Sequence, residues 1–179
     1  MTPSGLIYHE AVISPEEEAK LLVEIQASPW SLGPGGRRVQ HYGFAYDYTT
    51  KSLKPASALP ESLQSLARQL VEKKYLSVLP NQVIINEYLP GQGISAHIDH
   101  PKWFGEEISS LSLGSATTMG FSRDSENCEL RLEPRSLLVL TGPARWEWYH
   151  MIPARKSDVM NGGEVLRGTR VSITFRTVA

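Results

Sequence analysis

Cysteine is nearly absent from this 179-residue chain. Cys128 stands alone, so neither a disulfide framework nor a cysteine-rich zinc site can be built. Long apolar runs are also missing: no stretch approaches the roughly 20 residues that a bilayer span needs. The opening MTPSGLIYHE lacks the basic start and apolar stretch of a signal peptide. These absences argue against a membrane partner and make a reduced, cytoplasmic setting the default expectation. An excess of positive charge is lacking too, with 18 Lys and Arg against 19 Asp and Glu for a net charge of −1. Proteins that grip duplex nucleic acid through its phosphates usually carry a clear basic excess. A local groove can still be basic, so charge leaves a nucleic-acid partner open. There is no internal repeat, low-complexity tract or interdomain linker. What is present, 41% hydrophobic and 21% charged residues, is the balance of a globular chain. Its length suffices to bury a core without staples, and one monomeric domain over residues 1–179 is expected.

The two parts of the chain read differently. A helix is predicted from Ser14 to about Ser28, with Ser14 as N-cap, Pro15 at the first helical position and Glu17 completing a capping box. Leu21, Leu22 and Ile25 give it an apolar stripe, and Pro29 stops it. A second helix is predicted from about Pro60 to Tyr75, carrying Leu59, Leu63, Leu66 and Leu70 on one face. Between them lies SLGPGGRRVQHYGFAYDYTT, a Gly-rich turn followed by an aromatic, partly alternating stretch. After Pro80, short strand-like runs follow one another: QVIINEYL, SSLSLG, TTMGFSR, CELRLEP, SLLVLTG, WEWYHMI and RVSITFRTV. This spacing predicts an antiparallel sandwich or barrel, and with helices outside one sheet the class is α+β.

Within the strand-rich part, AHIDH sets His97 and Asp99 two residues apart. In an extended segment such residues project from one face. His150, in WEWYHMI, can supply a third ligand. Two histidines and a carboxylate on one side of an ion leave coordination positions open, as in non-haem iron(II) oxygenases. A lone His-x-Asp is common by chance, and His9, His41 and His100 show that not every histidine here is a ligand. His100 follows Asp99 directly, so extended geometry turns it to the opposite face, where it supports the ligands or meets solvent.

The pattern sharpens downstream. In RVSITFR, Arg170, Ser172, Thr174 and Arg176 share one face, while Val171, Ile173 and Phe175 share the other. A strand with one wet face would show the same alternation. A dicarboxylate such as 2-oxoglutarate, however, calls for a guanidinium to pair its far carboxylate. Asn86 and Tyr88 alternate onto one face ahead of His97 and can donate to the same molecule. Pro90, Gly91 and Gly93 form a turn that presents His97.

N-x-Y, H-x-D, a distal His and R-x-S-x-T-F-R, in that order, resemble the AlkB family of iron(II)/2-oxoglutarate dioxygenases. The likeness spans essentially the whole chain and is strongest from Asn81 to Val178. It implies a double-stranded β-helix (jelly-roll) core over residues 81–179, with helices and a substrate lid over residues 1–80. It further implies His97, Asp99 and His150 as iron ligands, and Asn86, Tyr88 and Arg170 as partners of 2-oxoglutarate, with Ser172 assisting. Arg176 would lie near the keto-acid end and the substrate. EEISSLSLG, RSLLVLTGPARWEW and the run before His97 are similar to the branch whose animal member is fused to a tRNA methyltransferase. RRVQHYGFAYDY resembles the lid of that branch, making Arg37, Arg38, His41 and Tyr42 candidates for substrate contact. Trp103 and Phe104 could stack on a base. One departure stands out: where the DNA-repair member has a base-reading acid, this chain has Pro101.

The chemistry so implied uses Fe(II), 2-oxoglutarate and O₂ to oxidise a substrate C–H bond. On an N-methyl group the product loses formaldehyde; on an ordinary carbon an alcohol remains. A nucleic acid, with a single-stranded or flipped-out base or as tRNA, is the expected substrate. A protein or lipid substrate, a zinc hydrolase using the same ligands, and a binding module on a decayed oxygenase fold are the alternatives. Arg170 and Arg176 oppose the hydrolase, which has no need of a dicarboxylate cradle.

Overall fold

The first helix forms as its capping residues dictate. The Ser14 hydroxyl accepts from the Glu17 amide at 3.2 Å, and the Glu17 carboxylate accepts from the Ser14 amide at 2.7 Å. The computed structural model describes residues 2–47, 50 and 52–178. Chain order begins β1 (Leu6–His9), α1 (Pro15–Ala27), β2 (Ser31–Leu32), β3 (Arg38–Tyr42), β4 (Phe44–Asp47), β5 (Ser52–Pro55) and α2 (Glu61–Glu72). It continues β6 (Gln82–Tyr88), β7 (Ile94–His97), β8 (Ile108–Gly114), β9 (Thr117–Arg123), β10 (Glu126–Leu132) and β11 (Leu137–Leu140). Last come α3 (Gly142–Trp146), β12 (Tyr149–Ile152), β13 (Ser157–Met160), β14 (Gly163–Leu166) and β15 (Arg170–Arg176).

Two antiparallel sheets make the jelly roll expected from the strand-rich part. The larger has seven strands in the order β1-β11-β8-β15-β6-β3-β2; the smaller has four, β10-β9-β12-β7. The N-terminal part therefore contributes β1, β2 and β3 directly to the larger sheet, β1 against β11 and β3 against β6. Two hairpins, β4–β5 and β13–β14, stand apart from the sandwich sheets.

The larger sheet buries both faces. On its outer face Val83, Ile85, Leu111, Leu113, Ile173 and Phe175 pack under Leu21 and Ile25 of α1 and Leu63, Leu66 and Leu70 of α2. Burial of this apolar stripe holds both helices on the sheet. On the inner face, between the sheets, Phe121, Leu132, Leu138, Trp148 and Ile152 form a second core.

Two predicted elements differ from those observed. α2 stops at Glu72 rather than Tyr75, because Lys74 adopts φ +61° and the Tyr75 amide turns back to the Leu70 carbonyl at 2.9 Å. WEWYHMI is a strand only from Tyr149; Trp146 ends the helical turn Gly142–Trp146, which Pro143 favours near its start. Among the described residues no helix is long and apolar enough to cross a membrane.

Candidate metal centre

β7 and β12 are neighbours in the smaller sheet, and His97 and His150 sit opposite each other across the pair. Their rings lie 4.3 Å apart. The ladder shifts register between this pair and Ile152–Ile94, an irregularity of the kind that re-aims side chains at sites. The turn before β7 needs Gly93, since a Cβ there would come within 2.1 Å of the Ile152 carbonyl oxygen. Asp99 follows the end of β7, with its Oδ1 3.8 Å from His97 Nε2. One ligating atom from each of His97, Asp99 and His150 lies within 4.8 Å of the other two. His97 Nδ1 is 2.8 Å from the Ser95 carbonyl. A proton held there leaves the Nε2 lone pair for a metal.

Electrostatics prepares these groups for a cation. Burial pushes the Asp99 carboxyl up, but the Arg176 charge, then His150 and His97, outweigh it and hold the carboxyl at about 2. Burial pulls His150 down to about 4, against the opposing pull of Asp99. Both are therefore in ligating form at neutral pH. Two imidazoles and a carboxylate on one side leave open positions, which suits iron(II).

Arg176 and Arg170, three pleat repeats apart on β15, have different duties. Arg176 grips the Asp99 carboxylate with two nitrogens, Nε at 3.2 Å and Nη2 at 3.1 Å. It thereby fixes a ligand beside the place predicted for the keto-acid end. Arg170 is 2% exposed, and its Nη2 donates to Ser112 Oγ at 2.8 Å. Its Nε and Nη1 are buried without hydrogen-bond partners. Such donors are costly unless a ligand meets them, so they call for an anion. Asn86 and Tyr88 on β6 project to the same side, and Ser172 lies between the arginines. Together with the metal residues they line one cavity of about 60 Å³.

A larger groove of about 1030 Å³ opens over His97 and Asp99. The lid candidates divide between the faces of β3. Arg37 and His41 line the groove with Val39. Arg37 is 7% exposed, and its Nη1 donates to the Gly93 carbonyl at 2.6 Å. Its guanidinium lies 5.3 Å from the Tyr88 ring centre, the same distance as that of Arg170. Burial, then the charge of Arg176, lowers the pKa of His41, whose Nδ1 is buried with no hydrogen-bond partner. Arg38 and Tyr42 face α1 instead and are not brought to the groove. Arg38 pairs with both Glu87 oxygens at 2.7 Å, and the Tyr42 hydroxyl donates to Gln40 at 3.1 Å.

Trp103 lines the groove, its ring stacked 3.5 Å from His100 and tilted 4.8 Å from Tyr46. His100 lines the groove with it. The expectation that His100 faces away assumed an extended chain, but β7 ends at His97 and the segment turns. Pro101 is exposed on that turn. Sequence reasoning also missed Arg145, a buried arginine beneath the segment carrying Asp99. Nothing in the sequence around it signals this, because its partners are backbone carbonyls.

A family model described as the 2OG-Fe(II) oxygenase superfamily matches residues 26–176. An uncharacterized protein of Acanthamoeba polyphaga mimivirus is 38% identical, the match covering 96% of this chain and 83% of the relative. The tRNA (carboxymethyluridine(34)-5-O)-methyltransferase ALKBH8 of Mus musculus is 37% identical over 98% of this chain. This chain spans only 31% of the length of that relative. Among solved structures, OsALKBH1 superposes with a TM-score of 0.77 at 15% identity, covering 99% of this chain and 98% of that one. The last likeness concerns the fold alone.

Proposed function

This chain belongs to the 2OG-Fe(II) oxygenase superfamily, in its AlkB-type branch, and on that premise we propose that it oxidises a modified nucleobase within a nucleic acid. It is a 2-oxoglutarate-dependent dioxygenase, working with Fe(II), 2-oxoglutarate and O₂. His97, Asp99 and His150 would hold the iron, and Arg170, Asn86, Tyr88 and Ser172 the 2-oxoglutarate. When bound, iron and cosubstrate supply an oxidant that hydroxylates C–H bonds, with succinate and CO₂ as coproducts.

The chain's own residues then have separate tasks. Arg170 neutralises the far carboxylate of the cosubstrate in a buried site, where a planar fork is well matched to it. Arg176 keeps Asp99 ionised and aimed. The inter-sheet core around Phe121, Trp148 and Ile152 excludes water from one side of the cavity.

The observation that carries the substrate reading is the groove opening onto His97 and Asp99, with the His100–Trp103–Tyr46 rings on its wall. Aromatic faces of this kind stack on bases. Asp99 is the only carboxylate among the described groove-lining residues, and Arg176 occupies it. A cationic alkylated base would find no unengaged anion there, so an uncharged base fits better. The mouse relative is named for a carboxymethyluridine of tRNA, which makes a modified tRNA uridine the first substrate to test. A cytoplasmic monomer is proposed with it.

The test is anaerobic loading with Fe(II) and 2-oxoglutarate, then O₂ with tRNA, methylated RNA and methylated DNA. Mass spectrometry of the digests should show a gain of oxygen or loss of a methyl group, with an uncharged base preferred. Succinate formation stimulated by none of these would sink the nucleic-acid reading, and a protein or lipid substrate would replace it.

A further inference from the structure

A buried arginine on α3 has no part in the scheme so far. Arg145 is 2% exposed, and all three kinds of its guanidinium nitrogen donate to main-chain carbonyls of one loop. Nη1 reaches Asp99 at 2.9 Å, Nη2 reaches Phe104 at 3.1 Å and Nε reaches Gly105 at 3.1 Å. Its stem springs from the turn that leads into β12, five residues before His150. The loop it grips starts at Asp99, carries His100 and Trp103 into the groove, and returns to the sheet where the Gly105 amide meets the Thr177 carbonyl at 3.0 Å.

A second set of contacts closes the arrangement from the other side. The Phe104 ring lies 4.6 Å from the Arg176 guanidinium, which itself grips the Asp99 carboxylate. Asp99 is thus held twice, by its backbone through Arg145 and by its carboxylate through Arg176. The segment has no strand pairing of its own between His97 and Phe104 that could do this work.

We propose that Arg145 is a positioning residue that sets the Asp99–Gly105 loop before any metal binds, fixing a metal ligand and the aromatic groove wall with one side chain. A planar fork spans the three carbonyls; a lysine ammonium on a single stem does not. Outer residues that orient metal ligands typically carry about 10- to 100-fold in metal affinity. The inference rests on the assignment of His97, Asp99 and His150 as ligands.

The test loads cobalt(II) anaerobically into the parent and the Arg145→Lys and Arg145→Met variants, following the visible d–d bands. Both variants should bind cobalt at least about tenfold more weakly with altered bands. Lysine should rescue little, and 2-oxoglutarate affinity, set on the other sheet, should change less than metal affinity. Folded variants with parental cobalt affinity and bands would overturn the proposal. Hydrogen exchange on the parent supplies a reading that needs no variant. The amides of Trp103, Phe104 and Gly105 should be equally protected with and without cobalt, and a loop protected only after loading would equally overturn it. A parent that took up no cobalt would bring down the ligand assignment itself, with this inference.

Discussion

The two faces of the seven-stranded sheet are built from the same strands and do opposite things. On the outer face of β15, Val171, Ile173 and Phe175 close a dry core under the helices. On the inner face, Arg170, Ser172 and Arg176 line the cavity beside the metal residues. On β15 the outer face buries only apolar side chains, which need no partner. The inner face leaves Arg170 Nε and Nη1 without partners. One face is optimised for the folded state and the other for a ligand, and strict alternation along a single strand lets both demands be met at once.

The comparison can be broken most severely at the metal end. His97→Ala should abolish succinate formation while leaving the apo melting temperature nearly unchanged, because that side chain is 34% exposed and outside both cores. Next in size, Arg170→Met should raise the KM for 2-oxoglutarate about 100-fold, as expected for about 2–3 kcal/mol of charge-assisted bonds. The same variant should melt no lower than the parent as apo protein, since it removes a buried guanidinium that has a bond to Ser112 but two donors without partners. On the opposite face, Ile173→Ala should cost about 3 kcal/mol in chemical denaturation with KM unchanged for the folded fraction.

Acid should act first on the metal residues that the smaller sheet holds against the inner face. His150 titrates at about 4 instead of 6.5, so the unfolded chain takes up that proton earlier as pH falls. Apo stability should decline as pH drops from 6.5 toward 4, and His150→Asn should flatten that stretch of the melting curve. Asp99 adds its loss only lower, between 3.8 and about 2. The smallest effect on turnover is expected at Arg38, which faces α1 and pairs with Glu87, itself only 5% exposed. Arg38→Ala should cost about 1–3 kcal/mol of stability, because it leaves that buried carboxylate with Gln26 alone, yet leave turnover of the proposed nucleic-acid substrate unchanged; a large loss of turnover in the folded variant would return it to the groove.

The legible features were those written in local periodicity. RVSITFR sorted its residues onto two faces by period 2, and the observed strand keeps that sorting. The Ser14 capping box was equally readable, since all its partners lie within three residues. What the sequence hid depends on register and on chain reversal. Nothing in Arg37-Arg38 says which side chain meets the groove; pairing of Arg38 with Glu87 across β3–β6 decides it. His100 was misplaced because extended geometry was carried past His97, where the strand ends. Arg145 was invisible because its partners are backbone carbonyls some 40 residues away, with no side-chain signature.

The groove wall on β3 is a rung of the sheet itself, laddered to β6 from Arg38–Glu87 to Tyr42–Val83. It is not a flap that evolution can reshape without dislocating the strand that carries Asn86 and Tyr88. Room to alter what the groove admits therefore lies at the rims at either end of β3: the Gly33–Gly36 turn and the β4–β5 hairpin. Those rims can be recast like fittings while the ladder behind the oxidising machinery stays whole.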